Sequence, residues 1–309
     1  DANIIISTLC SSGNEDIKNM HKHSGFDLLI IDEAGQATEL STLIPLCLGI
    51  NRTVLIGDHK QLPPTVKNEK VKRCGYGKSL FERLQNHSLE NVLLLDTQYR
   101  MRPEICKISS SCFYDDKIKN GENVISEAWE KEWNKEEMGN KYGPVMFYDV
   151  KTSIFNIKDK SKTNKQKKNI YVNENEANGI FCFIRNFAKS FPNININESI
   201  SVISPYNDQV ALIKRKLKHD YPGIKVNSVD SFQGQENDII LISTVRSKDN
   251  IGFLKDERRL NVMITRARFS LIIFGDADTL CQDKNWRKII SELKSKKYIK
   301  PLKFAFWNN

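Results

Sequence analysis

Two adjacent carboxylates, Asp32 and Glu33, are the residues of this chain whose type and position best suit chemistry. They directly follow the apolar run 28–31, and an uninterrupted run of this kind predicts a strand buried on both faces of a parallel sheet. Ligands of such sheets bind beyond the carboxyl ends of the strands. Asp32 could hold Mg²⁺, which prefers oxygen ligands, and Glu33 could polarise a water for attack on a phosphoryl group. The alternative is a solvated acidic pair at a strand end.

A second apolar run, residues 53–56, predicts a strand beside the first one in the same parallel sheet. It leads through Gly57 and Asp58 to Gln61, which we therefore expect near the two acids. A Gln amide in that place can orient a water or sense a γ-phosphate.

Tyr99 and Arg100 follow a third apolar run, residues 92–95, which also predicts a strand. An aromatic ring beside an Arg can stack on a base while the guanidinium reaches a phosphate. A surface Tyr–Arg pair by itself carries no diagnostic value.

Residues 75–79 (Gly-Tyr-Gly-Lys-Ser) end like a phosphate-binding P-loop, whose full pattern is G-x-x-x-x-G-K-S/T. The first glycine of that pattern would fall on position 72, which is Lys72, and no apolar run leads into the segment. We interpret residues 75–79 as a turn that caps a helix over residues 79–84.

The rest of the chain predicts two α/β units. In the first, residues 3–10 predict a strand that runs into a Ser/Gly turn, and residues 39–49 predict a helix capped by Thr38. Residues 115–170 are polar and broken, which indicates a long surface insertion. Beyond it, predicted strands alternate with predicted helices, as in a second parallel α/β sheet: strands 199–203, 224–229, 239–244 and 270–274, and helices 174–189 and 210–218.

Length and composition fit a globular protein with one large core or two medium ones: 309 residues, 39% hydrophobic and 28% charged. The net charge of +9 is compatible with a polyanionic partner, but residues 155–168 alone, with six lysines against one aspartate, account for +5 of it. The seven scattered cysteines form no C-x-x-C pair, which argues against a zinc site or a disulfide framework and favours a reducing compartment. No apolar run is long enough to span a bilayer.

Six motifs occur along the chain in a fixed order: 32–36 (DEAGQ), 57–62 (GDHKQL), 98–101 (QYRM), 204–206 (SPY), 229–236 (VDSFQGQE) and 261–268 (NVMITRAR). Together they resemble motifs II to VI of superfamily 1 helicases, in the branch that contains the nonsense-mediated-decay helicase and senataxin. Residues 75–84 and 252–262 look most like the senataxin group. The resemblance covers nearly the whole chain except residues 120–170, and six motifs in order make it very specific.

The resemblance implies an α/β fold of two RecA-like parallel-sheet domains, the first truncated at its N-terminus. It places the C-terminal part of the first domain at residues 1–92 and the second domain at residues 93–309, with the Lys-rich insertion near 120–170. It also implies an ATP-dependent helicase or translocase, 5′ to 3′, that hydrolyses ATP in the cleft between the two domains.

Residue by residue, the resemblance assigns a role to each matching position. Asp32 would hold Mg²⁺, Glu33 would activate the attacking water, and Gln61 would sense the γ-phosphate. The remaining assignments are Tyr99 stacked on adenine, Arg100 on the phosphates, Glu236 on the ribose, Arg266 as the arginine finger, and Ser204 and Ser228 on the nucleic-acid backbone. Arg259 and Arg268 are expected in structural ion pairs.

Two positions depart from the family pattern. Arg102 stands where the family usually has His, with little expected effect. The P-loop and the first nucleic-acid motifs do not occur in residues 1–309, and we expect them upstream of Asp1. This stretch alone is therefore expected to bind ATP poorly and to hydrolyse it hardly at all.

The expected partner is single-stranded RNA or DNA, or an RNA–DNA hybrid. The protein is expected to be a monomer that does not associate with a membrane. The expected location is the nucleus, with the cytoplasm as the alternative. The alternative function is a non-catalytic nucleic-acid-binding scaffold that lacks a P-loop. The Lys-rich segment could bind nucleic acid or act as a nuclear signal, but a solvated loop is the favoured interpretation.

Overall fold

The computed structural model describes residues 2–87, 89–135, 141–151, 155–158, 169–248 and 250–302. The chain forms two compact units, Asp1–Leu94 and Leu95–Asn309. Most of the Lys-rich segment, residues 159–168, lies outside the described residues. Within the described residues, no helix is long and apolar enough to cross a membrane.

The first unit contains a small parallel sheet with short helices. Its elements are α1 (Glu15–Ser24), β1 (Leu29–Ile31), α2 (Glu39–Leu46), β2 (Thr53–Leu55), α3 (Glu69–Val71) and α4 (Leu80–Gln85). Strands β1 and β2 pair in parallel, with Leu29 opposite Thr53 and Ile31 opposite Leu55. The two predicted parallel strands are therefore confirmed as neighbours.

The prediction that β1 is buried on both faces is wrong. Ile31 is 3% exposed, whereas Ile30 is 57% exposed. Successive side chains of a strand point to opposite faces of the sheet. In this unit one face of the pair is packed and the other is open.

Two further predicted strands are not strands. Residues 3–8 and 92–95 have no regular secondary structure, and Leu93 and Leu95 are 93% and 82% exposed. An apolar run becomes a strand only when a neighbouring strand satisfies its backbone N–H and C=O groups. In the described part of the chain neither run has such a neighbour.

The predicted helix caps of the first unit are confirmed. Thr38 Oγ1 accepts a hydrogen bond from Ser41 N at 3.3 Å at the start of α2. Ser79 Oγ accepts one from Glu82 N at 3.1 Å at the start of α4. The predicted cap at Ser79 is therefore confirmed, whereas residues 75 and 76 belong to a π-helical segment, Lys72–Tyr76, and not to the turn.

The described strands of the second unit are β3 (Thr97–Gln98), β4 (Lys119–Asn120), β5 (Val145–Asp149), β6 (Phe155–Lys158), β7 (Asn169–Val172), β8 (Ile200–Ile203), β9 (Lys225–Asn227), β10 (Asn237–Ser243), β11 (Ala267–Gly275) and β12 (Ile299–Pro301). Six of them form an all-parallel sheet in the order β12-β5-β11-β10-β8-β9. The pairs β3–β4 (parallel) and β6–β7 (antiparallel) lie outside the main sheet.

The helices of the second unit alternate with these strands. They are α5 (Pro103–Phe113), α6 (Glu122–Ile125), α7 (Glu174–Ser190), α8 (Ile196–Ser199), α9 (Asn207–Leu217), α10 (Glu257–Ile264), α11 (Ala277–Leu280) and α12 (Lys284–Ser295). The predicted strands and helices from residue 174 onward are confirmed, with boundaries shifted by a few residues. The strand β12 was not predicted.

Both faces of the six-stranded sheet are covered. On one face, alternate residues of β5, β8, β10 and β11 pack against Phe183 and Phe187 of α7. Helix α5 packs on β11, and α12 packs on β5 and β12. Burial on both faces explains why the central strands read as continuous Ile, Leu and Val runs.

The predicted surface insertion at residues 115–170 is wrong for much of its length. Strand β5 lies between β12 and β11, and Phe147 is fully buried. Trp133 and Tyr142 belong to the core, with edge-to-face contacts to Phe187 at 5.5 and 5.2 Å between ring centroids. Scattered large aromatics anchor this stretch, although its average composition is polar.

A buried carboxylate fixes the loop that follows β10. Glu176, near the start of α7, is fully buried and accepts Ser243 Oγ at 2.5 Å. Its two oxygens accept Val245 N at 3.0 and 2.8 Å. Val245 has φ +71°, an uncommon conformation for a β-branched residue that the surrounding contacts must hold in place.

The environment of Glu176 favours its neutral form. Burial is the main reason why the pKa of this carboxyl is raised to about 8; the hydrogen bonds from Ser243 and the backbone N–H groups oppose the rise, and the negative charge of Asp276 adds to it. Between pH 4.5 and about pH 8, the folded state therefore retains a proton on Glu176 that the unfolded chain, in which the pKa is near 4.5, has already released.

Glu176→Gln should make the stability of the second unit less dependent on pH. In the wild type, the contribution of this proton is fully present below pH 4.5 and is lost as the pH rises towards about 8, at a rate of at most about 1.4 kcal/mol per pH unit. Urea unfolding between pH 5 and pH 8.5 measures this slope. The control is Glu174→Gln, which alters an exposed acid in the same helical turn and should keep the wild-type slope. Equal slopes in the wild type and Glu176→Gln would contradict the assignment.

Candidate functional site

In the first unit, the carboxyl ends of β1 and β2 remain joined beyond their last paired residues. Ile56 N donates to Ile31 O and Ala34 N donates to Ile56 O, both at 2.8 Å. The segment that carries the two acids therefore runs directly beside the segment that follows β2.

Two glycines allow this close approach. A Cβ on Gly57 would lie 2.8 Å from Gly35 N, closer than real Cβ contacts, and a Cβ on Gly35 would lie 3.1 Å from Asp58 O. Only glycine lets the two backbones cross at this separation. The crossing positions the acids and Gln61 at one edge of the sheet.

The side chains at this edge are held by local hydrogen bonds. Asp32 and Glu33 are exposed, and Glu33, with φ +51°, donates its N–H to Asp32 Oδ1 at 2.8 Å. Gln36 Nε2 donates to Glu33 Oε2 at 2.6 Å. Gln61 Nε2 donates to Asp58 Oδ2 at 3.0 Å. The carboxylates thus face solvent while their orientation is restrained.

The donor set at this edge fits Mg²⁺ better than a metal that needs a protein cage. Among the described residues, no three or more His, Cys, Asp or Glu side chains converge as a metal site. Mg²⁺ is commonly held by one or two carboxylates, with waters and substrate phosphates completing its octahedron. Asp32 matches that requirement.

In the second unit, the side chain of Gln98 shapes the turn that presents Tyr99 and Arg100. Its Oε1 accepts Arg100 N at 2.9 Å and Met101 N at 2.7 Å. Its Nε2 donates to Met101 O and to Asn120 Oδ1, both at 2.8 Å. One amide therefore fixes the backbone of the turn and ties it to β4.

Glu236 lies between two guanidinium groups. It forms an ion pair with Arg100 Nε, and Arg268 Nε lies 3.8 Å from its other oxygen. Arg268 also pairs with Asp238 at 3.3 Å; burial raises the pKa of Asp238, and the Arg268 charge opposes that rise. Arg100 Nη1 additionally donates to Thr265 O at 3.4 Å. The carboxylate of Glu236 is therefore oriented before any ligand binds.

These residues surround a cavity of about 420 Å³. Its lining consists of Gln98, Tyr99, Arg100, Met101, Trp129, Glu236 and Arg268. The Tyr99 ring is 63% exposed and lies directly over Gly121, where a Cβ would overlap it. Arg268 stacks over the Trp129 ring at 5.2 Å. Two aromatic rings, two cations and one carboxylate suit a ligand with a flat ring, hydroxyl groups and negative charge.

The other three site residues predicted for the second unit do not line this cavity. Arg266 is 3% exposed and donates from Nε to Val262 O and from Nη2 to Thr265 Oγ1, both at 3.0 Å. Ser204 is fully buried at the end of β8. Ser228 is half-buried and donates to Ser231 Oγ at 3.0 Å. The structure thus brings Tyr99, Arg100 and Glu236 together around the cavity and holds Arg266 in the protein interior.

Sequence reasoning missed three contributors to the cavity. Gln98 was part of a quoted motif, but its role in the turn depends on pairing with β4. Trp129 lies in the stretch assigned to an insertion; its Nε1 is buried and has no hydrogen-bond partner among the described residues. Arg268 was expected in structural ion pairs, which it forms, while it also lines the cavity.

Comparisons with known proteins agree with the motif order. Two family profiles, each described as an AAA domain, match residues 1–69 and 76–278. In structure, the chain resembles the PRRSV helicase with a TM-score of 0.40 and 17% identity, over 82% of this chain and 35% of that one. The family assignment rests on the sequence matches.

Several curated relatives match over nearly the whole chain. Helicase sen1 of Schizosaccharomyces pombe is 36% identical over 96% of this chain and 17% of its own length. The uncharacterized ATP-dependent helicase MJ0104 of Methanocaldococcus jannaschii is 37% identical over 96% of this chain and 42% of its own length. The regulator of nonsense transcripts 1 homolog of Neurospora crassa is 34% identical over 96% and 26% respectively.

The chain spans between 17% and 42% of the length of these relatives. The profiles cover both units, and the motifs from residue 32 to residue 268 occur in the family order. The chain belongs to the AAA-domain family of nucleic-acid helicases, in the superfamily 1 branch of the nonsense-mediated-decay helicase and senataxin.

Proposed function

We propose that this chain is part of a motor that hydrolyses ATP and moves 5′ to 3′ along single-stranded RNA or DNA, with RNA or an RNA–DNA hybrid as its natural substrate. The observation that carries the proposal is the strand-end edge of the first unit. There Asp32 and Glu33 face solvent at the end of β1, beside the segment with Gln61. Family membership supports the choice of a nucleic acid as the track. The resemblance to the senataxin group supports a nuclear location, with the cytoplasm as the alternative.

In the first unit, the proposed roles follow from the side-chain chemistry. Asp32 would hold Mg²⁺, which neutralises phosphate charge when it is bound. Glu33 would accept a proton from the attacking water, and the hydrogen bond from Gln36 restrains its carboxylate for that task. Gln61 would orient the water or contact the γ-phosphate.

In the second unit, the cavity would hold the nucleoside end of ATP. Tyr99 would stack on adenine, and Glu236 would accept hydrogen bonds from the ribose hydroxyls. A guanidinium has five N–H donors, so the contacts of Arg100 with Glu236 and Thr265 leave capacity for a phosphate oxygen. Arg266 would stabilise the transition state as an arginine finger; because it is 3% exposed, this role requires its guanidinium to move from its place beside Val262 O and Thr265 Oγ1.

We propose that both sets of residues act on one nucleotide, as the family resemblance implies. Arg100 and Arg266 of the second unit would then neutralise the phosphate charge only when the two domains close on the nucleotide. Hydrolysis would thereby be coupled to domain motion. Ser204 and Ser228 would then lie on the nucleic-acid side of the second unit. Because Ser204 is buried, Ser228 is the better placed of the two for a phosphate contact.

Glu33→Gln should reduce RNA-stimulated ATP hydrolysis by about 10²- to 10⁴-fold, because the amide cannot accept the proton of the attacking water. ATP affinity should change little, because the geometry of the site is retained. The measurement is steady-state phosphate release by the full-length protein that contains residues 1–309, with and without single-stranded RNA, together with equilibrium ATP binding.

The matched control is Glu15→Gln, which neutralises an exposed acid of α1 in the same unit and should leave turnover unchanged. Wild-type turnover in Glu33→Gln would contradict the assigned role. Binding of RNA by a wild-type chain without any turnover would favour the non-catalytic scaffold instead.

Gly121→Ala should weaken ATP binding about tenfold, because the new Cβ displaces the Tyr99 ring from its position over residue 121. Tyr99→Ala should have a similar effect, and the two substitutions together should cost no more than either one alone. Binding of a fluorescent ATP analogue to the four proteins of this double-mutant cycle tests the coupling. Additive losses would show that residue 121 does not act through Tyr99.

A further inference from the structure

The described part of the second unit exposes two aromatic rings, Tyr99 and Phe253, each 63% exposed. Tyr99 belongs to the cavity described above. Phe253 lies in a 3₁₀ turn, Gly252–Lys255, directly before α10. No role proposed so far uses this ring.

The turn around Phe253 is rigid. Ile251 and Leu254 are 0% and 1% exposed, so both sides of the exposed residue are anchored in the core. Leu254 O accepts a hydrogen bond from the buried Trp286 Nε1 at 2.9 Å, and Gly252 N donates to Asn250 Oδ1 at 2.8 Å. The backbone that carries Phe253 is therefore anchored on both sides, while the ring itself is exposed.

On one side, the turn contacts the segment that follows β8. The Phe253 ring meets the Tyr206 ring edge-on, with centroids 6.2 Å apart. A Cβ on Gly252 would lie 3.0 Å from the Tyr206 hydroxyl, which shows how closely the Tyr206 side chain packs on the turn. Tyr206 follows Ser204 by two residues, in a segment proposed to contact nucleic acid.

On the other side, the turn is tied to the segment that follows β9. Arg259 bridges Asp256, the residue after the turn, at 2.7 Å and Asp230 at 3.1 Å. Asp230 follows Ser228 by two residues. The turn that carries Phe253 is therefore linked to both segments that are proposed to contact the nucleic-acid backbone: to one through Tyr206 and to the other through Arg259.

The exposed cations near the ring suit a polyanion, because the neighbouring acids Asp256 and Glu257 are each paired with a cation. Lys248 and Lys255 are both exposed on the loops that flank Phe253. A single exposed apolar residue needs no special explanation. An exposed aromatic ring beside cations, at the carboxyl edge of a parallel sheet, is the arrangement with which proteins bind single-stranded nucleic acid.

We propose that Phe253 stacks on a base of single-stranded nucleic acid, while Lys248 and Lys255 contact the neighbouring phosphates. This inference rests on the proposed function, because it needs a nucleic acid on this side of the second unit. Stacking on one face of any base predicts affinity without sequence preference.

The test compares Phe253→Ala, Phe253→Trp and the control Ile125→Ala in the full-length chain. Ile125 is also 63% exposed in the second unit, so its truncation removes an equally exposed apolar side chain. The probes are a fluorescein-labelled oligouridylate and the same strand with abasic positions, titrated by fluorescence anisotropy at several salt concentrations.

Phe253→Ala should weaken oligouridylate binding by about 5- to 150-fold, the range for losing one stacked base. The slope of affinity against salt should not change, because no phosphate contact is lost. Phe253→Trp should restore affinity, and its added tryptophan fluorescence should be quenched on binding. On the abasic strand, the wild type and Phe253→Ala should bind equally.

Two results separate the inference from the function on which it rests. If the wild type binds oligouridylate and Phe253→Ala behaves like Ile125→Ala, the stacking role is overturned and the helicase function stands. If the loss in Phe253→Ala persists on the abasic strand, the ring acts through the turn and stacking is also overturned. If the wild type binds no single strand at all, the proposed function itself fails.

Discussion

Parallel pairing is the constraint on which the acidic edge of the first unit and the proposed nucleic-acid surface of the second unit depend. It collects the carboxyl ends of neighbouring strands at one edge, so residues far apart in sequence become neighbours without direct contacts between their side chains. In the first unit it brings the segment after β1 beside the segment after β2. In the second unit it aligns the segments after β8, β9, β10 and β11, from which Tyr206, Ser228 and Val245 extend.

The loops at these edges are ordered by contacts with the protein interior. Glu176 accepts the N–H of the strained Val245, and Asp276 accepts Ser247 Oγ at 2.5 Å two residues later. Lys151 adds a cation 3.2 Å from Asp276, and these contacts hold the pKa of that carboxyl below its usual value despite burial. A loop fixed near its start by two buried carboxylates can present a side chain to a ligand without a large entropy loss on binding.

The sequence predicts those parts of the fold in which one local signal is sufficient. Thr38 and Ser79 cap helices as expected, and the aliphatic run of β10 forms a strand because both of its faces are buried. The runs at residues 3–8 and 92–95 look the same in sequence but have no pairing strand among the described residues. Strand β5 was not predicted, because it is a short core segment within a stretch whose average composition is polar.

For the candidate sites, the motifs predict which residues take part but not the contacts that orient them. The order of the motifs predicted that Tyr99, Arg100 and Glu236 bind one ligand, and in the structure these residues line one cavity. The contacts that orient them could not be predicted. Gln98 acts through Asn120 on β4, and Gly121 matters only because the Tyr99 ring lies over it. Both are long-range pairings between short segments, which no local pattern encodes.

Helix α10 connects the two functions proposed for the second unit. It begins at Glu257, directly after the Phe253 turn and its cap Asp256, and ends at Ile264, two residues before Arg266. Arg266 Nε is bonded to Val262 O of the same helix. Eight residues of α-helix span about 12 Å. If Arg266 exchanges Val262 O for a phosphate oxygen, the change occurs at one end of a short rigid element whose other end carries the proposed base-stacking ring. Nucleotide and nucleic acid would then bias the same helix, which is the physical requirement for coupling between two sites.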